Sequence, residues 1–110
     1  MTIGMPDEFA VTVQRHGRDA VVAISGELDL DTAQRLREHL DALVDAGAEI
    51  AVDASGVTFI DSAGLTTLLA ARQSVRDGGG DLRLTVASER VAWVAKMAGV
   101  FDLLSPDDGS

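Results

Sequence analysis

Residues 59–65, Phe-Ile-Asp-Ser-Ala-Gly-Leu, leave almost no room between a strand and a helix. Phe59 and Ile60 end an apolar stretch, and Asp61 and Ser62 place a carboxylate beside a hydroxyl. A helical pattern then opens near Ala63, with Leu65, Leu68, Leu69 and Val75 on or near one face. A strand that hands over directly to a helix is the unit from which α/β folds are built. It sets the Ser62 hydroxyl at the positive end of a helix dipole, near backbone N–H groups that lack an intrahelical partner. Serine in that place commonly caps the helix. If exposed, it also offers a phosphate a favourable local field.

The rest of the chain extends the same alternation. Phe9, Val11 and Val13 alternate with Ala10, Thr12 and Gln14, as in a half-exposed strand. Gly17-Arg18-Asp19 makes a turn, and residues 20–24 are apolar on both faces, which predicts a more central strand antiparallel to the first. Asp31 is the expected N-cap of the first helix, with Gln34 completing a capping box. Leu36, Leu40, Leu43 and Val44 form its apolar face, and Gly47 is its expected left-handed end. Residues 49–53 read as a short third strand, parallel to the second because a helix separates them. Gly78-Gly79-Gly80 stops the second helix. Leu82, Leu84 and Val86, alternating with Arg83 and Thr85, give a fourth strand. Ser88 caps a final helix with Val91, Val94 and Met97, ended by Gly99, on which Trp93 is expected to be partly buried against the sheet. Residues 100–104 read as an edge strand or packed tail, and residues 106–110 as a frayed end. This order predicts an α/β fold with a mixed sheet, in one domain over residues 1–110 with a core of about 9–104.

Composition narrows the function. The net charge is −9, from 9 Lys and Arg against 18 Asp and Glu. That disfavours direct binding to nucleic acid, which needs clustered cations, and to an anionic membrane surface. It suits a protein partner with a basic face. There is no cysteine, so there is neither a disulfide framework nor a thiolate metal site. His16 and His39 are far apart in sequence, and both read as surface residues. No apolar run reaches the length of a membrane span, and residues 1–6 lack the marks of a signal peptide, so a cytoplasmic location is expected.

Enzymatic sites find little support. The nucleophile elbow of esterases needs glycine two residues before the serine, and Ile60 stands there. A phosphate-binding loop continues from glycine into Gly-Lys-Ser/Thr, whereas Asp81 follows the triple glycine. Asp29, Asp31, Asp53 and Asp61 fall at or near strand ends, where α/β proteins place sites, but caps and solvated loops explain them more simply than a metal. The expectation is therefore no catalytic residue, no metal and no cofactor.

Two further segments accompany 59–65. Ser25-Gly26-Glu27-Leu28-Asp29 lies at an earlier strand end, and Val52-Asp53-Ala54-Ser55-Gly56-Val57 at a second. Gly-Glu-Leu-Asp, Asp-x-Ser-Gly-Val and Phe-Ile-Asp-Ser-x-Gly-Leu, in this order and spacing, resemble the STAS domain. Within it the chain is most similar to bacterial anti-sigma factor antagonists. The resemblance covers residues 9–104 and implies a small sheet with helices packed mainly over one face. It implies a partner-switching regulator of transcription. In that family the serine directly after the motif aspartate, which is Ser62 here, is phosphorylated by a partner that is both anti-sigma factor and serine kinase. A metal-dependent serine phosphatase reverses this. Asp29, Asp61, Ser62, Ala63 and Gly64 are then the partner-binding residues. Ala63 stands where the family often has a second hydroxyl, which leaves Ser62 as the acceptor. Thr66 and Thr67 stand where small residues are common and bear on the partner fit. Two other readings within the family are a transport-associated subunit that is not a phosphoswitch and a nucleotide-sensing regulator.

Overall fold

In the computed structural model, residues 8–44 and 47–105 are described. They form strands β1 (Ala10–His16) and β2 (Asp19–Leu28), helix α1 (Leu30–Asp41), strand β3 (Glu49–Ile60) and helix α2 (Ser62–Asp77). Strand β4 (Asp81–Ala87) and helices α3 (Glu89–Met97) and α4 (Phe101–Leu104) follow. The sheet order is β1-β2-β3-β4, with β1 antiparallel to β2 and the other two pairs parallel. This is the mixed α/β sheet that the alternating pattern predicts. His16 pairs with Asp19, leaving Gly17 and Arg18 as a two-residue hairpin loop. Gly17 at φ +66° supplies the left-handed residue that such a loop requires.

The buried strand residues share one face: Ala20, Val22 and Ile24 on β2, Ile50, Val52 and Ala54 on β3, Leu82 and Leu84 on β4. Helix α1 lays Ala33, Leu36 and Leu40 on this side, and α2 lays Leu65, Leu68, Ala71 and Val75. Both sets follow the three-and-four spacing of an amphipathic helix. Each leucine so buried contributes roughly 1.5–3 kcal/mol relative to exposure. The opposite face carries Val21, Ala23, Thr85 and Val86, all exposed. Residues 20–24 therefore sit on a central strand yet have one face open to solvent, a difference from the sequence expectation.

Other elements are corrected as well. Helix α1 is capped by Asp29, not Asp31: the Asp29 carboxylate accepts from the Asp31 and Thr32 N–H groups, while Thr32 Oγ1 accepts from the Asp29 N–H at 2.9 Å. The capping box is thus Asp29 with Thr32, and Gln34 has no part in it. The helix ends at Asp41, capped by Ala42. Leu43 is still buried beyond it, and Gly47, at φ +76°, belongs to the turn that follows.

Strand β3 runs on through the Asp53–Val57 segment to Ile60, with register shifts against β2. Val86 is 46% exposed. The register shift places it opposite Asp53, so the two-residue alternation of β4 is broken after Leu84. Trp93 is 58% exposed, and Met97 is exposed too. Residues 100–104 hold a short helix, with Leu104 buried, instead of an edge strand. The frayed end expected at 106–110 lies outside the described residues. Gly78 caps the end of α2 and Ser88 the start of α3, as the sequence predicts.

Candidate functional site

Adjacent parallel strands β2 and β3 end side by side, with Leu28 paired to Ile60. Each is followed after a single residue by a helix. That single residue is an aspartate in both cases, in extended conformation, and its side chain caps the helix it introduces. Asp61 accepts from the Gly64 N–H at 3.0 Å. Its own N–H donates to the Leu28 carbonyl at 3.2 Å, which ties the two strand ends together. The Asp29 carboxyl is held below its ordinary value, foremost by the Thr32 backbone N–H, with the Thr32 hydroxyl and the Asp31 N–H adding to it.

Ser62 is the first residue of α2 and is exposed. The capping role that its position suggests belongs to Asp61, so the Ser62 hydroxyl is not committed to the helix end. Ala63 is half-buried. Gly64 is buried: a Cβ there would lie 2.6 Å from the Leu28 carbonyl oxygen and 2.7 Å from Leu28 Cγ. Its place is that of a packing residue that lets α2 approach β2, while the exposed surface belongs to its neighbours.

Between the starts of α1 and α2 lies an open depression of about 300 Å³. Leu30, Ala33 and Gln34 line it from α1; Ser62, Ala63, Thr66 and Thr67 line it from α2. The fold thus brings Ser62 and the residue following Asp29 into one concavity. Leu30, 74% exposed, is the residue that sequence reasoning missed. It stands three residues before Ala33, at the spacing of the buried stripe, so nothing in the sequence marks it as exposed. Asp53 sits apart from this site. Its carboxyl is held below the ordinary value by the Ser55 hydroxyl and then the Ser55 N–H, two residues on in β3.

Among the described residues, no group of three or more His, Cys, Asp or Glu side chains could hold a metal ion, and no helix is long and apolar enough to cross a membrane. Both histidines are exposed.

The family model of the STAS domain matches residues 10–108. An anti-sigma-B factor antagonist of Bacillus subtilis is 33% identical over 94 residues, covering 86% of each chain. The anti-sigma-F factor antagonist RsfB of Mycobacterium tuberculosis is 39% identical over 71 residues, which span 64% of this chain and 58% of that one. The crystal structure of an anti-sigma factor antagonist from Mycobacterium paratuberculosis superimposes with a TM-score of 0.78 at 28% identity, covering 94% of this chain and 88% of the other. The family model spans residues 10–108, and the Bacillus subtilis relative aligns over most of both chains: the chain belongs to the STAS domain family.

Proposed function

We propose that this chain is an anti-sigma factor antagonist, acting in the cytoplasm through the domain at residues 9–104, and that phosphorylation of Ser62 switches its binding. The observation that carries the reading is the division of roles at the start of α2. Asp61 caps the helix, and Ser62 stands exposed beside it. A kinase can modify Ser62 without removing a structural hydrogen bond. The phosphate is compatible with the fold, because the helix N-terminus favours an anion. It is incompatible with an unchanged interface, because it adds about −1.5 to −2 charge beside Asp61 at pH 7. A penalty of ~1.4 kcal/mol is a tenfold loss of affinity, so the switch needs no rearrangement.

In this scheme the unmodified chain binds the anti-sigma factor and releases the sigma factor. The anti-sigma factor, as a serine kinase, supplies the ATP and magnesium, and a serine phosphatase restores the unmodified form. The antagonist names carried by the relatives support the partner class. The test is to incubate the chain with its anti-sigma factor kinase and ATP, map the phosphate by mass spectrometry, and titrate each form by calorimetry. Ser62 should be the main acceptor, Ser62→Ala should bind and resist switching, and the phosphorylated chain should bind at least tenfold more weakly. Labelling mainly at Ser88 or Thr66, or equal affinity of the two forms, rejects the reading.

A further inference from the structure

We infer that the depression between α1 and α2 is the seat for an aliphatic side chain of the anti-sigma factor, flanked there by lysine or arginine, and that Leu30 is the apolar wall closing over it. This rests on the reading of the chain as an anti-sigma factor antagonist and names the contact by which it holds its partner.

Leu30 occupies the first position of α1, where the fold makes no demand for an apolar residue: Asp29 supplies the cap. Its side chain is 74% exposed, and it is not among the residues that α1 buries. An isolated exposed leucine needs no explanation, but this one borders a concavity whose other walls are Ala33, Gln34, Ser62, Ala63, Thr66 and Thr67. Such a slot suits a side chain that is apolar and compact.

The surroundings fix the rest of the partner's chemistry. Glu27 is exposed near the end of β2 and Asp31 in the first turn of α1, and Asp29 and Asp61 stand at the two helix starts. The nearby cations of α1 are engaged elsewhere: Arg35 lies over the Phe9 ring, and Arg37 pairs with Asp41 at 2.7 Å. A seat with Leu30, Ala33 and Ala63 in its walls, and with Asp29, Asp31 and Asp61 next to its lining residues in sequence, matches an apolar side chain with cations at its flanks. Ser62 lines the same concavity, so a phosphate on it lands in the seat itself as well as near the carboxylates.

The experiment titrates the anti-sigma factor kinases encoded in the same genome against the wild-type chain, its Ser62-phosphorylated form, Leu30→Ser and Thr66→Phe, with Met97→Ser on the remote helix α3 as control. Circular dichroism melts of each variant accompany the titrations. Leu30→Ser, which removes the wall, and Thr66→Phe, which fills the seat, should each bind at least tenfold more weakly with unchanged melts. Met97→Ser should bind within twofold of wild type. Binding within twofold of wild type by a folded Leu30→Ser or Thr66→Phe overturns the seat, while phosphorylation that still abolishes binding leaves the switch standing. The reverse pattern, weak variants with a phosphorylated chain that binds normally, upholds the seat and overturns the switch. If no such kinase binds the wild-type chain, both fall.

Discussion

The backbone N–H of Asp61 donates to the carbonyl of Leu28 at 3.2 Å. This bond joins the end of β3 to the end of β2 immediately before each chain turns into its helix. The close approach leaves no room for a side chain at residue 64, where a Cβ would meet both the carbonyl and the side chain of Leu28. Gly64→Ala should therefore destabilise the fold, although alanine is the better helix former by roughly 1 kcal/mol. Overpacking of this kind costs typically ~1–3 kcal/mol. Thermal melts of the variant check this, and an unchanged or raised midpoint refutes the packing role.

Asp61 and Ser62 should separate cleanly in a stability assay. Asp61→Ala removes the cap of α2, a loss of ~1 kcal/mol, while Asp61→Asn should retain most of it. Ser62→Ala touches no capping bond and should stay within about 0.5 kcal/mol of wild type. Urea titrations decide the matter. A larger loss at Ser62 than at Asp61 would reassign the cap.

Acid should erase part of what Asp29 contributes. Its carboxyl is held below the ordinary value of 3.8 by the N–H and hydroxyl groups it accepts from. A carboxyl whose pKa is lower in the folded state adds stability above its unfolded value, and that stability is lost as pH falls through the folded one. Asp29→Ala should thus melt below wild type at neutral pH, with the gap narrowing once pH drops under 3.8. A gap that stays constant down to pH 2 would show that the charged form of Asp29 is not what stabilises α1.

Core and surface apolar residues should behave oppositely. Leu68 is 1% exposed, and Leu68→Ala should cost roughly 2–5 kcal/mol. Trp93, despite its size, is largely in solvent, and Trp93→Ala should leave stability within about 0.5 kcal/mol of wild type. Comparable losses at the two positions in denaturant melts would place Trp93 in the core.

Salt and charge should act on the rate of association. Asp31 is exposed in the first turn of α1, and its side chain takes no part in the cap. With a basic partner, Asp31→Asn should slow association while leaving the melt unchanged, and rising salt should narrow its difference from wild type. Stopped-flow mixing across ionic strengths checks this. A salt-independent difference would remove steering from the account.

The order of elements was legible because strand and helix periodicities alternate plainly along the chain, and the place of Ser62 at a helix start was legible because it follows an apolar strand end. What was not legible depended on partners distant in sequence. Asp29 and Asp31 are both plausible caps by type. The pairing of Leu28 with Ile60 keeps β2 extended to residue 28, and Thr32 then closes the box with Asp29. Val86 looks like a core residue until the register of β4 against β3 is known. Gly64 sits inside the recognisable motif, but its burial against Leu28 follows from the meeting of two strand ends and from no local pattern. Trp93 and Leu30 show the limit from the other side: their exposure is decided by which neighbouring elements fail to cover them.

The aspartate that fixes the start of α2 and the serine that follows it are separate residues, and that separation has a consequence for durability. The joint between β3 and α2 is set by Asp61, Gly64 and Leu28, so the chemistry of residue 62 is free to change and change back without the joint being remade. Repeated cycles of modification would therefore leave no refolding step to wait for. The speed of response would be that of the enzymes acting on the chain, with the chain itself adding no delay.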